Sequence, residues 1–316
     1  MRFGHHGKRY IRGLGGAFAS TAFYTSRGLT FCDPNGENMT GQKAALPSGR
    51  LPLQHTIPFS DVPDCGTAIV TGGSRGIGAS CSRVLAKRGF SVVVVYRSAS
   101  AEALSVVDGI VAAGGRAIAV QADVGDEEEV VKLFNEIDAW RGDSPLRALV
   151  NNAGVLGPKG AGGELQKVTS ESLLDILKVN TIGPALCIRE AEKRMSTKLG
   201  CCGGAIVQIS SGSAYIGTPL QYACSKGALN SLTIGLVAPL AKQGIRINTI
   251  SPGMTATDMI AETLPTFDMS QIPLGRVGTP DEVANCVAWL CSEEASYVAG
   301  ANVRVAGGRP PGTTLG

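Results

Sequence analysis

The 316-residue chain is 44% hydrophobic and only 17% charged, so it can bury a full core and is not globally disordered. Its net charge of +3 arises entirely in residues 1–64, which hold seven Lys/Arg and four Asp/Glu; 29 − 7 and 26 − 4 leave 22 charges of each sign in residues 65–316. A neutral body argues against a nucleic acid or a membrane surface as its partner.

Residues 1–64 differ in composition from the rest of the chain. From Met1 to Cys32 there are five Lys/Arg and no acid, with hydroxyl residues around Ser20 and Thr21. This composition is typical of an organellar transit peptide and predicts a mitochondrial or plastid location. Alternatively, this segment is a disordered tail, or translation starts at Met39. In either of these cases we expect a cytoplasmic location. No run of eighteen apolar residues occurs, so we expect no membrane span.

From Cys65 onward, apolar runs rich in β-branched residues alternate with stretches of helical period. Strands are predicted at 67–71, 91–96, 117–121, 146–150, 205–210, 245–251 and 302–305, and helices at about 77–89, 99–113, 126–141, 169–198, 222–243 and 280–291. Continuous apolar strands alternating with helices predict a parallel sheet covered on both faces. We therefore expect one α/β domain over residues 65–308, with seven parallel strands, and a short tail over 309–316.

The first predicted strand runs directly into a glycine-rich turn, Thr71-Gly72-Gly73-Ser74-Arg75-Gly76-Ile77-Gly78. Three of its glycines allow a tight turn and a close approach of the backbone to a pyrophosphate, which would meet the positive end of the next helix. Such a turn is a weak signal in a chain with 42 glycines. Placed after the first strand of an alternating pattern, it predicts a dinucleotide site formed by Gly72, Ser74, Arg75, Gly76, Ile77 and Gly78.

The end of the second strand indicates which dinucleotide binds. An acid at this place binds the adenosine ribose of NAD and repels the additional phosphate of NADP. This chain has Tyr96-Arg97-Ser98 instead, and Arg75 supplies a second cation. A guanidinium pairs with two phosphate oxygens at once, so we expect a preference for NADP(H). If Arg97 is only a solvated residue at the strand end, NAD(H) is possible too.

Only one of the six tyrosines, Tyr222, is followed four residues later by a lysine, Lys226. On a helix these two side chains share a face. Phenol has an unperturbed pKa of about 10, and a neighbouring ammonium would lower the pKa enough for proton exchange with a carbonyl or alcohol oxygen.

The placement of histidines and cysteines argues against three kinds of site in residues 65–316: a histidine-containing catalytic triad, a histidine-ligated zinc and a disulfide framework. The three histidines, His5, His6 and His55, all precede this region, so it has no Ser–His–Asp triad and no histidine-ligated zinc. The nine cysteines are scattered without a Cys-x-x-Cys pair, which favours reduced thiols. We therefore expect a catalytic site without a metal.

The motifs together resemble the short-chain dehydrogenases/reductases. After the glycine turn, the motifs of that family follow in order: Asp123-Val124, Asn151-Asn152-Ala153-Gly154, Asn180, Ser210-Ser211, Tyr222-x-x-x-Lys226 and Ser251-Pro252-Gly253. The resemblance covers roughly residues 65–308 and implies a single doubly wound Rossmann domain. It also implies an oxidoreductase acting on a carbonyl or alcohol, assembled as a homotetramer with the helices at 169–198 and 222–243 at one interface.

The resemblance implies a role for each of four catalytic residues. Tyr222 would be the acid/base, and Lys226 would also bind the nicotinamide ribose. Ser211 would hydrogen-bond the substrate oxygen, and Asn180 would hold a water that links Lys226 to solvent. The interval from Ser211 to Tyr222, eleven residues, is slightly shorter than most of the family has, so Ser210 and Ser213 remain alternatives to Ser211.

The resemblance also implies further cofactor contacts. Asp123 and Val124 would hold the adenine, and Asn152, Ala153 and Gly154 would pass behind the adenosine ribose. The loop that begins with the Ser251-Pro252-Gly253 motif, at the end of the sixth predicted strand, would meet the nicotinamide through Pro252, Gly253, Thr255 and Thr257. Residues 258–272 would form the substrate lid.

The substrate is left open. The chain is similar to 3-oxoacyl-carrier-protein reductases, while residues 149–259 resemble glucose-1-dehydrogenase-like members, so an acyl-linked or small carbonyl and a sugar or polyol are both possible. The cations of Arg189-x-x-x-Lys193-Arg194-x-x-x-Lys198 either face an acidic carrier protein or form a solvated surface. A non-enzymatic, NADP-binding regulator on the same fold is the alternative to an enzyme.

Overall fold

The computed structural model describes residues 21–25, 28–32, 65–157 and 165–310. The chain divides into two compact units, Met1–Thr56 and Ile57–Gly316. In the first unit, strands β1 (Thr21–Thr25) and β2 (Gly28–Cys32) pair in antiparallel fashion. The remainder of residues 1–64, on which most of the predicted transit peptide falls, lies outside the described residues.

The second unit is built on one sheet of seven parallel strands in the order β5-β4-β3-β6-β7-β8-β9. The strands are β3 (Thr67–Thr71), β4 (Ser91–Tyr96), β5 (Ala117–Gln121), β6 (Leu146–Asn151), β7 (Gly204–Ile209), β8 (Ile245–Pro252) and β9 (Asn302–Val305). This confirms the predicted α/β class and the seven-stranded parallel sheet. Strand order reverses between β3 and β6, and such a reversal opens a crevice at the carboxyl ends of the strands.

Helices cover both faces of the sheet. They are α1 (Gly76–Lys87), α2 (Ser100–Ala112), α3 (Glu127–Arg141), α4 (Ser170–Leu177), α5 (Gly183–Met195), α6 (Ser213–Ile216), α7 (Leu220–Ala241) and α8 (Pro280–Cys291). One core layer contains buried residues of α1, α2 and α8, such as Leu85 and Val287. The other contains buried residues of α3, α5 and α7, such as Phe134 and Leu240. Because both faces of the sheet are covered, the central parts of the strands are mostly apolar.

The single helix predicted over residues 169–198 is in fact interrupted. A π-helical turn, Lys178–Ile182, joins α4 to α5, and the N–H of Gly183 bonds to the carbonyl of Lys178. Pro184 has no N–H to donate to the carbonyl of Asn180, as an α-helix would require. A Cβ on Gly183 would lie 2.7 Å from the carbonyl oxygen of Val124, so glycine lets the helix pack closely against the loop after β5.

Two remaining features concern the surface of this unit. The segment predicted as a substrate lid, 258–272, consists of three short 3-10 turns: Asp258–Ile260, Leu264–Thr266 and Met269–Gln271. Across the described part of the chain, no helix has both the length and the apolar character that a membrane crossing needs.

Candidate active site

A cleft of about 510 Å³ opens at the carboxyl ends of the strands, where their order reverses. It is walled by the glycine turn, by the ends of β4 and β5, and by the segment after β6. Twelve of the residues predicted to bind the cofactor line it: Gly72, Ser74, Arg75, Gly76, Ile77, Arg97, Asp123, Val124, Asn152, Ala153, Gly154 and Thr257. The structure therefore gathers these sequence-distant residues around one elongated space.

The glycine turn has the geometry that its sequence predicts. Gly72 and Gly76 have φ angles of 61° and 51°, a left-handed conformation that side chains disfavour. Gly78 is needed for a different reason, because a Cβ there would lie 2.1 Å from the carbonyl oxygen of Gly72. Gly78 is not part of the cleft wall. It lets α1 pack against the turn that leads into it.

Thr71 ties the glycine turn to the segment after β6, a role that the sequence did not reveal. Its Oγ1 accepts hydrogen bonds from the N–H groups of Asn152 and Ala153, at 3.0 and 3.1 Å. The amide of Asn152 reaches back, with Nδ2 donating to the carbonyls of Thr71 and Gly72, both at 3.0 Å. Both the main chain and the side chain of Asn152 are thus bonded to the end of β3 and the start of the glycine turn. These bonds fix the position of Asn152 in the cleft wall.

Two arginines, Arg75 and Arg97, belong to the wall of the cleft. No acid follows directly on β4, where Arg97 stands instead. The guanidinium of Arg97 lies 3.7 Å from the carboxylate of Asp123, and both side chains are substantially exposed. Exposed ion pairs contribute little to stability, so Arg97 can exchange this partner for another anion at small cost. Arg75, the exposed residue immediately before α1, is the second cation of the wall.

Tyr222 and Lys226 come together on α7, as their spacing predicts. Their residues are only 8% and 3% exposed, and the lysine Nζ lies 5.6 Å from the centre of the tyrosine ring. Nζ also donates a 2.8 Å hydrogen bond to the carbonyl of Ile209, at the end of β7. The pair is therefore anchored to the carboxyl edge of the sheet.

The structure distinguishes among the three candidate serines. The side chain of Ser211 hydrogen-bonds the phenol of Tyr222. Its Oγ also accepts from the N–H of Ser213, at 3.1 Å, so the residue closes a turn as well. Ser210 is buried, and its hydroxyl donates to the carbonyl of Lys226 at 3.3 Å. Of the three, Ser211 is the serine whose side chain faces the phenol of Tyr222.

Asn180 is fully buried, and its side chain is used within the protein. Its Oδ1 accepts from the N–H of Val155 at 2.8 Å, while Nδ2 donates to the Val155 carbonyl and to Oγ of Ser225, both at 2.9 Å. Ser225 in turn donates to the carbonyl of Tyr222 at 2.7 Å. Asn180 therefore positions the start of α7, through a serine that sequence reasoning missed although it precedes Lys226. Both hydrogens of the side-chain amide are used in these bonds. A water that links Asn180 to Lys226 would therefore have to donate to the side-chain or the main-chain carbonyl oxygen of Asn180.

Gly154 lies next to both Asn180 and Lys226. A Cβ on this residue would lie 3.4 Å from Oδ1 of Asn180 and 3.5 Å from Nζ of Lys226. The absence of a side chain leaves the backbone of Gly154 exposed to both polar groups. The cofactor cleft, which Gly154 lines, is therefore next to the tyrosine–lysine pair.

Burial controls the ionisation of the pair. Desolvation raises the pKa of Tyr222 to about 12, with the Ser211 hydrogen bond acting in the opposite direction. Desolvation also lowers the pKa of Lys226 to about 8. The sequence predicts that the ammonium lowers the phenol's pKa; in this structure burial raises that pKa instead, and Lys226 is not among the groups that lower it. At neutral pH Tyr222 holds its proton.

The loop after β8 is shaped by residues that were predicted to touch the nicotinamide. The hydroxyl of Thr255 donates to the carbonyl of Gly253 at 3.1 Å and is buried. A Cβ on Gly253 would lie 2.8 Å from Cα of Ala306. Neither these residues nor Pro252 line the cleft, whereas Thr257 does, and its methyl group packs against Gly76.

Comparison with known proteins agrees with this geometry. The sequence profile of a family described as enoyl-(acyl carrier protein) reductase matches residues 72–309. An uncharacterised oxidoreductase of Escherichia coli, YgfF, is 43% identical over 249 residues, covering 77% of this chain and 99% of the relative. The 3-oxoacyl-[acyl-carrier-protein] reductase FabG of Staphylococcus aureus is 35% identical, covering 77% of this chain and 97% of the relative. The chain belongs to the short-chain dehydrogenase/reductase family.

A solved structure of this family supports the same assignment. A short-chain dehydrogenase of Burkholderia cenocepacia in complex with NADP is 32% identical and covers 79% of this chain and 99% of the other, with a TM-score of 0.70. The chain is thus a short-chain dehydrogenase/reductase, an oxidoreductase, over the whole region that carries the cleft and the Tyr222 cluster.

Three of the four cations in the basic run of this short-chain dehydrogenase/reductase lie on α5 and pair with acids of the protein. Arg189 pairs with Glu127 at 2.6 Å, Lys193 with Glu190 at 2.8 Å, and Arg194 with Glu190 at 3.2 Å. Glu190 is buried beneath these cations. Because these three cations already have acidic partners, they are poorly suited to recognise an acidic carrier protein, which favours the alternative of a solvated charged surface.

Proposed function

We propose that the protein is an NADPH-dependent reductase of a carbonyl group on a small or acyl-linked substrate, with an activity like that of 3-oxoacyl-carrier-protein reductase. The observation that carries the proposal is the cluster of half-buried Ser211 with buried Tyr222 and Lys226 at the sheet edge, next to a cleft lined by the glycine turn. A proton donor and a dinucleotide cleft side by side are what carbonyl reduction requires.

NADPH fits the residues of the cleft. The left-handed glycines at 72 and 76 leave room for a pyrophosphate before α1, and the helix start favours its charge. Arg75 and Arg97 line the cleft and would hold the additional phosphate that distinguishes NADPH. A second NADP-bound structure, that of the angucycline C-6 ketoreductase LanV, is 32% identical in sequence to this chain. NADH remains possible, since Asp123 competes for Arg97.

In the proposed reaction, bound NADPH supplies a hydride to the carbonyl carbon. Ser211 and Tyr222 hydrogen-bond the carbonyl oxygen, and Tyr222 donates its proton as negative charge develops there. The raised pKa of the phenol, about 12, keeps the proton on Tyr222 until that charge appears. Lys226, whose pKa of about 8 leaves it mostly protonated at neutral pH, stabilises the resulting phenolate. These ionisation states favour the direction of reduction.

We also propose that the protein assembles as a homotetramer through α4, α5 and α7. Apolar side chains on the surface of this region support an interface: Leu174 is 53% exposed, Ile182 43% and Ile234 71%. Burial of such residues between subunits would remove apolar surface from water.

The proposed function is tested by following the absorbance of NADPH with a panel of carbonyl compounds. We expect oxidation of NADPH with acetoacetyl thioesters, with a kcat/KM at least about tenfold above that with NADH, since a lost charged contact to the phosphate costs about 1.5–3 kcal/mol. Aldoses are assayed in the opposite direction with NADP⁺. A faster reaction with an aldose would favour a sugar or polyol dehydrogenase. Tight NADPH binding without turnover of any compound would favour a non-enzymatic regulator.

A further inference from the structure

A second cavity, of about 360 Å³, lies between the loop after β8, the segment 272–278 and the end of the chain after β9. Its wall includes Met254, which follows directly on Pro252 and Gly253 of the predicted nicotinamide loop. The segment after β9 closes tightly on the segment after the predicted lid, because the N–H of Leu274 bonds to the carbonyl of Gly307 at 3.0 Å. The cavity is therefore adjacent to the substrate side of the site.

Three arginines line this cavity, and only one of them is neutralised. Arg276 donates to both carboxylate oxygens of Glu282, at 2.9 and 2.6 Å. Arg304 and Arg309 form no ion pair with any acid among residues 65–157 and 165–310. The cavity thus carries two positive charges that these parts of the chain leave uncompensated.

The two unpaired guanidiniums are held in place by aromatic rings. The guanidinium carbon of Arg304 lies 5.7 Å from the ring centre of Tyr215, a residue of α6 only four positions after Ser211. That of Arg309 lies 5.3 Å from the ring centre of Phe267, in the predicted lid. Rings at such distances attract cations and restrict their motion. The arginines are thereby connected to the catalytic serine segment and to the lid.

Each of these arginines also has a buried nitrogen without a partner. Nη2 of Arg304 donates to the carbonyl of Arg309, and Nη2 of Arg309 donates to Gln271 at 3.0 Å. Nε of both residues is inaccessible to solvent and forms no hydrogen bond. Buried donors without partners are rare in native proteins, but a donor that solvent cannot reach is also out of reach of a ligand in the cavity. The N–H groups that such a ligand can complete are those of the terminal Nη atoms. The ligand must be an acceptor, and two adjacent guanidiniums favour one that is negatively charged.

We propose that Arg304 and Arg309 bind an oxyanion, a carboxylate or a phosphate, at the end of the carbonyl substrate remote from the reacting carbon. This inference rests on the proposed reductase function and narrows its substrate class to anionic carbonyl compounds. The substrate would extend from Ser211 and Tyr222, past Tyr215 and beneath the lid, to the arginine pair.

The test compares substrates that differ in the anionic group. Acetoacetyl-coenzyme A is compared with the neutral acetoacetyl-N-acetylcysteamine for a phosphate, and oxo acids of five to eight carbons with their methyl esters for a carboxylate. We expect kcat/KM about tenfold or more higher for the anionic member of at least one pair, because hydrogen bonds to charged groups are the strong ones. Which pair responds distinguishes phosphate from carboxylate. Equal values within both pairs would overturn the proposal.

Variants assign the preference to the arginines. Arg304→Gln and Arg309→Gln are expected to reduce the preference to about twofold or less, while kcat/KM for the neutral member stays within about threefold of the parent value. Arg304→Lys should restore part of the preference, because it retains the charge without the planar fork. The control is Arg88→Gln, an arginine whose weak 4.0 Å pair with Glu294 lies outside both cavities. A full preference in both glutamine variants would contradict the inference.

A binding measurement separates failure of this inference from failure of the proposed function. With NADP⁺ saturating, inorganic phosphate or acetate is titrated and the Tm is followed, since a ligand of the folded state raises Tm by mass action. We expect a rise in the parent protein that is larger than in Arg304→Gln, also if the carbonyl panel shows no turnover. No difference between the two proteins with either anion would overturn the anion site itself, whatever the catalytic results. Far-UV circular dichroism verifies that each variant is folded.

Discussion

Replacing Tyr222 with phenylalanine is expected to lower kcat for carbonyl reduction by about 10²–10⁴-fold, the usual contribution of a positioned general acid. The substitution removes one oxygen, so the ring continues to fill its buried position beside Lys226. The affinity for NADPH should change by less than about threefold, because the cleft is walled by other residues. Steady-state rates with an acetoacetyl thioester and a fluorescence titration with NADPH measure the two quantities.

Tyr297→Phe is the matched control for that variant, since Tyr297 is fully exposed and far from the described site in sequence. It should retain the parent kcat. If Tyr222→Phe retained kcat within about threefold of the parent while remaining folded, another group would have to supply the proton, and the proposed role of Tyr222 would be wrong.

Gly78→Ala should remove both stability and cofactor binding. Its Cβ would lie 2.1 Å from the Gly72 carbonyl oxygen and 2.5 Å from Nδ2 of Asn152, so backbone must move. We expect a loss of about 2–4 kcal/mol in the free energy of unfolding, measured by urea denaturation, because overpacking against backbone is poorly relieved. The displaced turn should also weaken NADPH binding by about tenfold or more.

The control for the glycine variant is Gly109→Ala. Gly109 lies inside α2, where an added Cβ meets nothing within 4 Å. Alanine there should stabilise the protein by about 0.5–1 kcal/mol, because it restricts the unfolded chain and favours the helix. An unfolding midpoint of Gly78→Ala equal to that of the parent, together with unchanged NADPH affinity, would show that the turn tolerates a side chain and would contradict its proposed role.

Much of the fold could be predicted because the strands are apolar on both faces. The predicted bounds of β3, β4, β5 and β9 agree with the observed ones, since each is a short β-branched run between turn residues. The interruption at Lys178–Ile182 was missed, although Pro184 stands inside the predicted helix and removes one of its hydrogen bonds. The π-helical form of the break is not visible in the sequence. It depends on contacts made in the folded chain, namely the hydrogen bonds between Asn180 and Val155 and the close approach of Gly183 to Val124.

The candidate site was only partly predictable for a related reason. Spacing places Tyr222 and Lys226 on one face of a helix, but it does not tell which of the adjacent serines faces the phenol. The folded chain decides this, because Ser210 points at the carbonyl of Lys226 and leaves Ser211 for Tyr222. The direction of the tyrosine's pKa shift depends on burial, which a sequence motif does not report.

The arginine pair, Arg304 and Arg309, could not be predicted from sequence motifs. Arg304 and Arg309 stand near the end of the chain, in no pattern that the sequence identifies with a ligand. Only the fold brings them to Tyr215 of α6 and to Phe267, about ninety and forty residues away along the chain, and buries their Nε atoms. Among the described residues neither arginine has an acidic partner, and this fact is visible only in the folded chain.

The most direct measurement of the central claim is a crystal structure of the protein with bound NADP⁺. We expect the hydroxyl of Tyr222 and the amine of Lys226 on the same side of α7, facing the nicotinamide ring, with the hydroxyl within hydrogen-bond reach of the oxygen of a substrate placed over the C4 carbon. The adenosine phosphate should contact Arg97 or Arg75. A structure that placed Tyr222 and Lys226 on opposite sides of their helix, or far from the nicotinamide, would contradict the proposed mechanism.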